Sequence, residues 1–482
     1  MDKTIIQQPT TVSHALDALL DNMYISNVSN RLGQLEHPQE NDSKRWIWEL
    51  IQNAKDSIVQ DQSRETVDIK VIVKDDKIVF KHNGSPFTAE AQMGLLYKYS
   101  GKKGNDSESI GRFGTGFLTT HALSKIVSIE GDLYTDDNKT NLCGFSATMY
   151  RNGIDPKELL DGVGKMRESM IYTKELNTWT TYTYHLETDE NKKALHLGLE
   201  NFIANITQVM LFCKELATVE LDNNGVVTTI IRKQVQQISN DIYISEFEIS
   251  GNEPHKREYV HKKLSKHSDE LSKRFKKERN LRLMVAIVID SENNLVENTN
   301  APSHFCVLPL VGSEKHIMPF YLNSPDFETD DERESLLLDG SVDWEEHKEL
   351  GTIITKRGIN RLILKESIEL YESLVSYLSE NDYHKLFLLA KGLKRSPDFE
   401  RNFNKDWFEK EIILPYREVL KKYAVVETES GNQKLFNDDN THNIIIPQGN
   451  KEVRQQIYTL ATEILVNRLP IEKYAREIAF KS

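Results

Sequence analysis

The chain has 482 residues, 38% hydrophobic and 28% charged, a globular composition with material for two or three domains rather than one core. A net charge of −13, from 61 basic and 74 acidic residues, excludes attraction of the whole surface to nucleic acid. The longest apolar runs, such as Met284-Val285-Ala286-Ile287-Val288-Ile289, have strand length, so no membrane span is expected. Residues 1–11 lack the apolar run and cleavage site of a secretory leader, which makes the cytoplasm the expected location.

In chain order, periodicity predicts a helix over 12–35 and a second beginning near Asp42 or Ser43, either of which can cap it, with Trp46, Leu50 and Ile51 on its apolar side. On that second helix Glu49, Asn53 and Asp56 stand at i, i+4 and i+7 and so share one face. A carboxylate, a carboxamide and a carboxylate so arranged suit a hydrated magnesium ion and a water held against a nucleotide; an exposed polar face has the same pattern. Residues 67–73 and 77–81 alternate with period two around Asp75-Asp76 and read as a hairpin. His82-Asn83-Gly84-Ser85-Pro86-Phe87 follows as a turn sequence. Residues 97–110 are rich in Gly, Lys, Ser and Asn, which suits a mobile lid.

Next comes Gly111-Arg112-Phe113-Gly114-Thr115-Gly116-Phe117, where each glycine removes a side chain that would block a close pass of the backbone N–H groups to phosphate. A helix is expected to open at about Phe117, its N-terminus favouring an anion. Strands are predicted at 125–132, 142–150 and 178–186, then a helix at 191–213, with a domain boundary near 190. Strand-like segments recur at 218–222, 226–232, 242–249, 282–290, 305–310 and 317–322. Between Lys256 and Arg282 lie eleven Lys/Arg against four Asp/Glu, read as a solvated helical face or a surface for an acidic part of the same protein, with polyanion binding as the alternative. Helices are expected at 348–379, 382–392 and 407–423, and short strands at 423–427 and 443–446. The chain stops inside an apparently uncapped helix at 471–482, which reads as a terminus completed by a partner or as a piece of a longer polypeptide. Cys143, Cys213 and Cys306 are far apart among apolar neighbours and read as buried thiols.

The ordered motifs resemble those of the GHKL ATPases, the superfamily of gyrase-type topoisomerases, heat-shock chaperones, histidine kinases and MutL, and are most similar to sacsin-type and heat-shock-chaperone-type N-terminal domains. The resemblance implies a two-layer α/β sandwich of the Bergerat type at 1–190, a second α/β domain at 191–342 and a mainly helical segment at 343–482. It implies ATP and magnesium as cofactors, with Glu49 orienting and deprotonating water, Asn53 on the metal and Asp56 ordering the water network. His82, Asn83, Gly84 and Phe87 stand where most of the superfamily has an Asp-led glycine motif whose carboxylate accepts from the adenine amino group. His82 can do so only in one tautomer, and the His-Asn-Gly form is similar to that of sacsin-like proteins. Gly111, Arg112, Phe113, Gly114, Thr115, Gly116 and Phe117 would bind phosphate. Lys103, or Lys102 beside it, would reach a phosphate from the lid, and Thr180 would close the base pocket. Glu332-Arg333-Glu334-Ser335-Leu336 resembles the chaperone loop whose arginine reaches the γ-phosphate, although Arg333 can equally pair with Asp330, Asp331 or Glu334.

The implied function is slow ATP hydrolysis whose nucleotide state drives clamp closure or dimerisation with a second copy or a partner protein. The setting would be a chaperone-like protein or a larger multidomain, defence-type machine. A nucleotide-sensing module without turnover and a DNA-associated ATPase of the MORC or MutL sort are the alternatives. A phosphotransfer kinase is disfavoured, because His14 lacks a paired helix.

Overall fold

A computed structural model describes residues 10–61, 64–97, 116–153, 155–298, 301–313, 318–330, 333–391, 403–436, 443–447 and 449–471. Its contacts divide the chain into two compact units, one of residues 1–204 with 214–230 and one of 205–213 with 231–482.

The first unit opens with α1 (Thr10–Gln34) and α2 (Glu40–Asp61). The second helix starts two residues earlier than the sequence suggests: Asp42 lies inside it and reaches back to accept from the Gln39 N–H at 3.2 Å, while the Ser43 hydroxyl donates to the Gln39 carbonyl at 3.2 Å. The hairpin expectation holds, with β1 (Val67–Val73) antiparallel to β2 (Lys77–His82), and β1 alternates between buried and half-buried residues. Then come α3 (Ala89–Tyr97), a 3-10 turn Gly116–Ala122, β3 (Ile126–Tyr134), β4 (Leu142–Tyr150), α4 (Pro156–Ser169), β5 (Ile171–Thr173), β6 (Thr180–His185), α5 (Asp189–Phe212) and β7 (Leu216–Asn223). Their sheet order is β7-β1-β2-β6-β3-β4-β5. Only the β1–β7 pair is parallel, and it brings a strand expected in the second domain into the first unit.

Helices cover the sheet's apolar face, α2 against β1 and α4 against β4, which makes two layers. Trp46, Ile47, Leu50, Ile51, Ala54 and Ile58 form the buried stripe of α2. The Trp46 indole N–H donates to the Ala194 carbonyl at 3.0 Å and that of Trp48 to the Asn201 side chain at 2.8 Å. Gly198 is required on α5 because a β-carbon there would overlap the Trp46 ring.

Arg151, 1% exposed at the end of β4, donates to the Tyr24 hydroxyl at 3.1 Å, to His121 Nε2 at 3.0 Å and to the Leu95 and Leu96 carbonyls at 3.2 and 3.0 Å. One guanidinium thereby ties α1, the end of α3 and the 3-10 turn to the sheet.

In the second unit, the part of β8 (Val226–Ser239) from Ile231 onward, β9 (Ile242–Ser250), β10 (His255–His267), α6 (Asp269–Phe275), β11 (Asn280–Ile289), β12 (His304–Cys306), β13 (Leu308–Pro309) and β14 (Tyr321–Asn323) give the sheet order β13-β12-β14-β11-β10-β9-β8. The basic run is therefore mainly strand, not a helical face: β10 is paired on both edges, and only α6 interrupts it. Five of its eleven cations meet carboxylates of the same unit, Lys256 with Glu246, Lys266 with Glu366, Arg274 with Glu345, Lys276 with Glu349 and Arg282 with Asp326, at 2.6–3.0 Å.

The helix expected at 348–379 is present as α7 (Lys356–Glu380), but it starts later, after a hairpin of β15 (Trp344–His347) with β16 (Gly351–Ile354), its start set by the Thr355 hydroxyl accepting from the Gly358 N–H at 2.9 Å. The helix α7 shares its core with the sheet and with the segments Lys405–Phe408, Glu409–Ile413 and Leu414–Lys422. The middle segment is a π turn, placed where Pro415 has no N–H to give the ladder. Among the described residues, the segment expected as a helix at 382–392 holds only the 3-10 turn Leu386–Ala390, and 443–446, expected as a strand, has no strand partner. Cys213 and Cys306 are buried as expected, but Cys143 is partly exposed near the start of β4. The terminal stretch 472–482 lies outside the described residues. Among the described residues no helix is long and apolar enough to cross a membrane.

Replacing Arg151 with Met strands four acceptors at once, three of them buried, and the expected loss of stability is about 2–4 kcal/mol. Urea denaturation of the variant measures it, and an unchanged midpoint would contradict the bridging role.

Candidate functional site

The site is built on α2, whose apolar stripe fixes its rotation over the sheet and so turns Glu49 inward rather than to solvent. Glu49 is 8% exposed, and Arg45, one turn earlier, meets its Oε1 at 3.2 Å. Both side chains are buried, so the pair orients the carboxylate in a setting where solvent screening is weak. Arg45 was not singled out in the sequence, although its i, i+4 spacing to Glu49 was readable there.

Gly116 opens the 3-10 turn directly against this carboxylate. A β-carbon on Gly116 would overlap Oε2 and lie 3.0 Å from Oε1, so the glycine is needed for the approach. The acidic helix and the end of the glycine motif, far apart in the chain, are thus in contact. The helix expected at Phe117 is a tighter 3-10 turn, its buried face Leu118 to Ala122 set by the His121 contact with Arg151. Asn53, one turn beyond Glu49, is half-buried, and Asp56 is buried on the following turn.

Gly84 makes a second close approach to α2, where a β-carbon would overlap the Ser57 hydroxyl and lie 3.3 Å from the Ala54 carbonyl. Asn83 is held differently: its carboxamide pairs at both ends with Asp68, accepting from the Asp68 N–H at 2.7 Å and donating to its carboxylate at 2.8 Å. That arrangement clamps the end of the β1–β2 hairpin.

His82, 2% exposed, stacks on Tyr182 at 6.2 Å, and its Nδ1 accepts from the Gly84 N–H at 3.2 Å. Burial pushes its pKa down to about 3, so the ring is neutral. Across the ladder from His82 stands Thr180, buried, with Gly131 beside its hydroxyl. Phe87 packs edge-on to Phe145 at 5.3 Å next to the same glycine, and Phe117 lies 5.8 Å from Tyr182. His82, Phe87, Phe117, Thr180 and Tyr182 therefore form one largely aromatic floor beside α2. Tyr182 was not anticipated as part of it, since only strand pairing shows which side chain lies on His82.

Lys102 and Lys103, with Gly111, Arg112, Phe113, Gly114 and Thr115, fall outside the described residues. Arg333 belongs to the second unit, where it adopts φ 56° and donates to the Cys306 carbonyl at 3.2 Å. Beside it the Asp330 carboxylate accepts from the Glu334 N–H and the Ser335 hydroxyl, both at 2.8 Å, and closes the loop. Among the described residues no three His, Cys, Asp or Glu side chains converge as a metal site. The Asn53 carboxamide, half-buried one turn beyond Glu49, is a neutral hard-oxygen donor of the kind a magnesium ion takes.

The fold and site define an α/β protein whose helical layer presents an oriented, buried carboxylate to a glycine turn beside an aromatic floor. No family model and no curated protein matches the chain. Among solved structures, the ATPase and transducer domains of DNA topoisomerase II from Balamuthia mandrillaris are similar at 14% identity and a TM-score of 0.28, over 42% of this chain and 55% of that one.

Two measurements check this geometry. Gly116→Ala must displace the Glu49 carboxylate, at an expected cost of about 1–3 kcal/mol. The cost should fall markedly in a Glu49→Ala background, which a double-mutant cycle by chemical denaturation reads. The second concerns pH. His82 and His121 both sit at about 3 in the folded chain against 6.5 for the free side chain, in each case chiefly through burial. Each takes up a proton on unfolding between those values, so their contribution is complete above about pH 6.5 and is lost as pH falls toward about 3. Their joint slope approaches about 2.7 kcal/mol per pH unit. Denaturation midpoints between pH 7 and 4.5 should show that decline.

Proposed function

We propose that this chain binds a nucleoside triphosphate, read from the motif resemblance as ATP, together with magnesium, and hydrolyses it slowly with water. The observation that carries the reading is the contact between Glu49 and Gly116, which brings a carboxylate to the end of a phosphate-type glycine loop. In this reading the ligand's base lies on the His82, Thr180 and Tyr182 floor, with Gly84 and Phe87 beside it. Its phosphates run toward Gly116, and the resemblance assigns further phosphate contacts to 111–115 and to Lys103, or Lys102 beside it, which lie outside the described residues. Glu49, aimed by Arg45, accepts a proton from the water that attacks the terminal phosphorus as the bond to the bridging oxygen breaks. Asn53 holds the magnesium ion, which when bound neutralises phosphate charge, and Asp56 orders neighbouring water.

Arg333 is proposed to sense the terminal phosphate from a transducer-like middle part at 191–342, with 343–482 as a helical extension. Nucleotide state would then close a clamp or a dimer, as a chaperone-like protein or as part of a larger machine. A nucleotide sensor without turnover is the second reading, favoured by one observation: the Arg45 ion pair already occupies one oxygen of Glu49. The pairing of five of the eleven cations in the basic run with carboxylates of their own unit weakens the case for a DNA-driven cycle.

Phosphate release by wild type, Glu49→Ala and Asn53→Ala, with and without DNA, tests these readings. The expected outcome is turnover lowered about 100- to 1,000-fold in Glu49→Ala with nucleotide binding kept. Asn53→Ala should weaken magnesium-dependent binding. Unaltered turnover in Glu49→Ala overturns the assigned role, and binding without turnover in wild type selects the sensor.

A further inference from the structure

The tautomer of His82 decides how the floor meets a base. A neutral imidazole has one N–H and one lone pair, and here the lone pair on Nδ1 is taken by the Gly84 N–H at 3.2 Å. The proton therefore resides on Nε2, which makes no hydrogen bond among the described residues. The ring cannot turn over freely to exchange its two nitrogens. It is buried, stacked on Tyr182, and its Nδ1 lies 3.0 Å from the point a Gly84 β-carbon would occupy, with Gly84 itself pinned against Ala54 and Ser57. What this floor offers a planar ligand at His82 is thus a donor and not an acceptor. An exocyclic amino group facing it would set N–H against N–H and leave both unsatisfied, whereas a ring carbonyl would satisfy both partners.

We infer that the site reads its base as a hydrogen-bond donor: His82 Nε2–H bonds an acceptor on the purine edge, so a 6-keto purine nucleotide is bound at least as tightly as the adenine nucleotide. The inference rests on the proposal that this site takes a nucleoside triphosphate. It replaces selection through the adenine amino group with selection through an acceptor. Thr180, one ladder position across, stays available to a second edge of the same base through its hydroxyl. Neutrality of His82 across the physiological range keeps the donor pattern constant, since burial holds the ring's pKa at about 3.

Calorimetric titration of the full chain with ATP and with ITP, each with magnesium, tests it, because the two ligands differ only at the edge in question. The expected result is an ITP dissociation constant equal to that of ATP or lower, by up to about tenfold. Tighter binding of ATP than of ITP overturns the inference and leaves the nucleotide reading standing. Absence of heat with either ligand at millimolar concentration overturns both. His82→Asp restores an acceptor, and the ratio of the two constants should then move toward ATP by about tenfold. An unmoved ratio in a folded variant counts against the inference, and if that variant fails to fold, the wild-type comparison decides alone.

Discussion

Arg151 carries a charge into the interior of the first unit and meets there a phenol, an imidazole and two carbonyls. A buried guanidinium is expensive unless every N–H finds an acceptor, so the elements supplying those acceptors are held to fixed places around it. Those elements are α1 through Tyr24, the end of α3 through Leu95 and Leu96, and the 3-10 turn through His121. The arrangement also fixes protonation. His121 Nε2 can accept from Arg151 only while neutral, and its Nδ1 is then the donor to the Ser124 carbonyl at 2.9 Å. Burial and the adjacent guanidinium both depress its pKa, so the charge on Arg151 and the neutrality of His121 support each other.

The position of the glycine turn follows from that hub, and the position of the carboxylate follows from α2. Trp46 wedges against Gly198 and bonds the Ala194 carbonyl, which sets both the rotation and the depth of α2. Glu49 then has one place to go, the space vacated by the missing side chain of Gly116. No strained backbone is needed to bring the two together. Close approach is achieved by removing atoms, at Gly116 and Gly84 on the site side of α2 and at Gly198 on α5.

Much of this was legible in the sequence where the cause is local. The alternation of Val67 to Val73 reports a sheet covered on one face, and the spacing of Trp46, Leu50 and Ile51 reports the buried side of α2. The sandwich itself was readable because three motifs fell in order. What escaped reading depends on partners distant in sequence. The strand β7 joins the first unit only through its parallel pairing with β1, a non-local event that no pattern in 216–223 announces. Lysines and arginines gave 256–282 the look of an exposed helix, yet on β10 alternate residues can turn their ammonium groups to carboxylates while the backbone bonds on both edges. The stretch 443–446 has the right composition for a strand, but among the described residues it forms no ladder, its Ile444 and Ile445 N–H groups going singly to the Leu435 and Arg468 carbonyls. The choice between the two tautomers of His82 was open in the sequence, because it is made by one backbone N–H two residues away.

The two glycines that face α2 also separate two tasks along it. Gly116 sits over Glu49, and Gly84 sits over Ala54 and Ser57, five to eight residues further on, or about 8–12 Å at helical rise. One helix thus spaces the carboxylate contact at Gly116 from the close approach at Gly84. A change at His82 alters what the floor donates without moving the carboxylate. A change at Gly116 displaces the carboxylate, and reaches the stack of His82 on Tyr182 only through Phe117, which lies 5.8 Å from the Tyr182 ring.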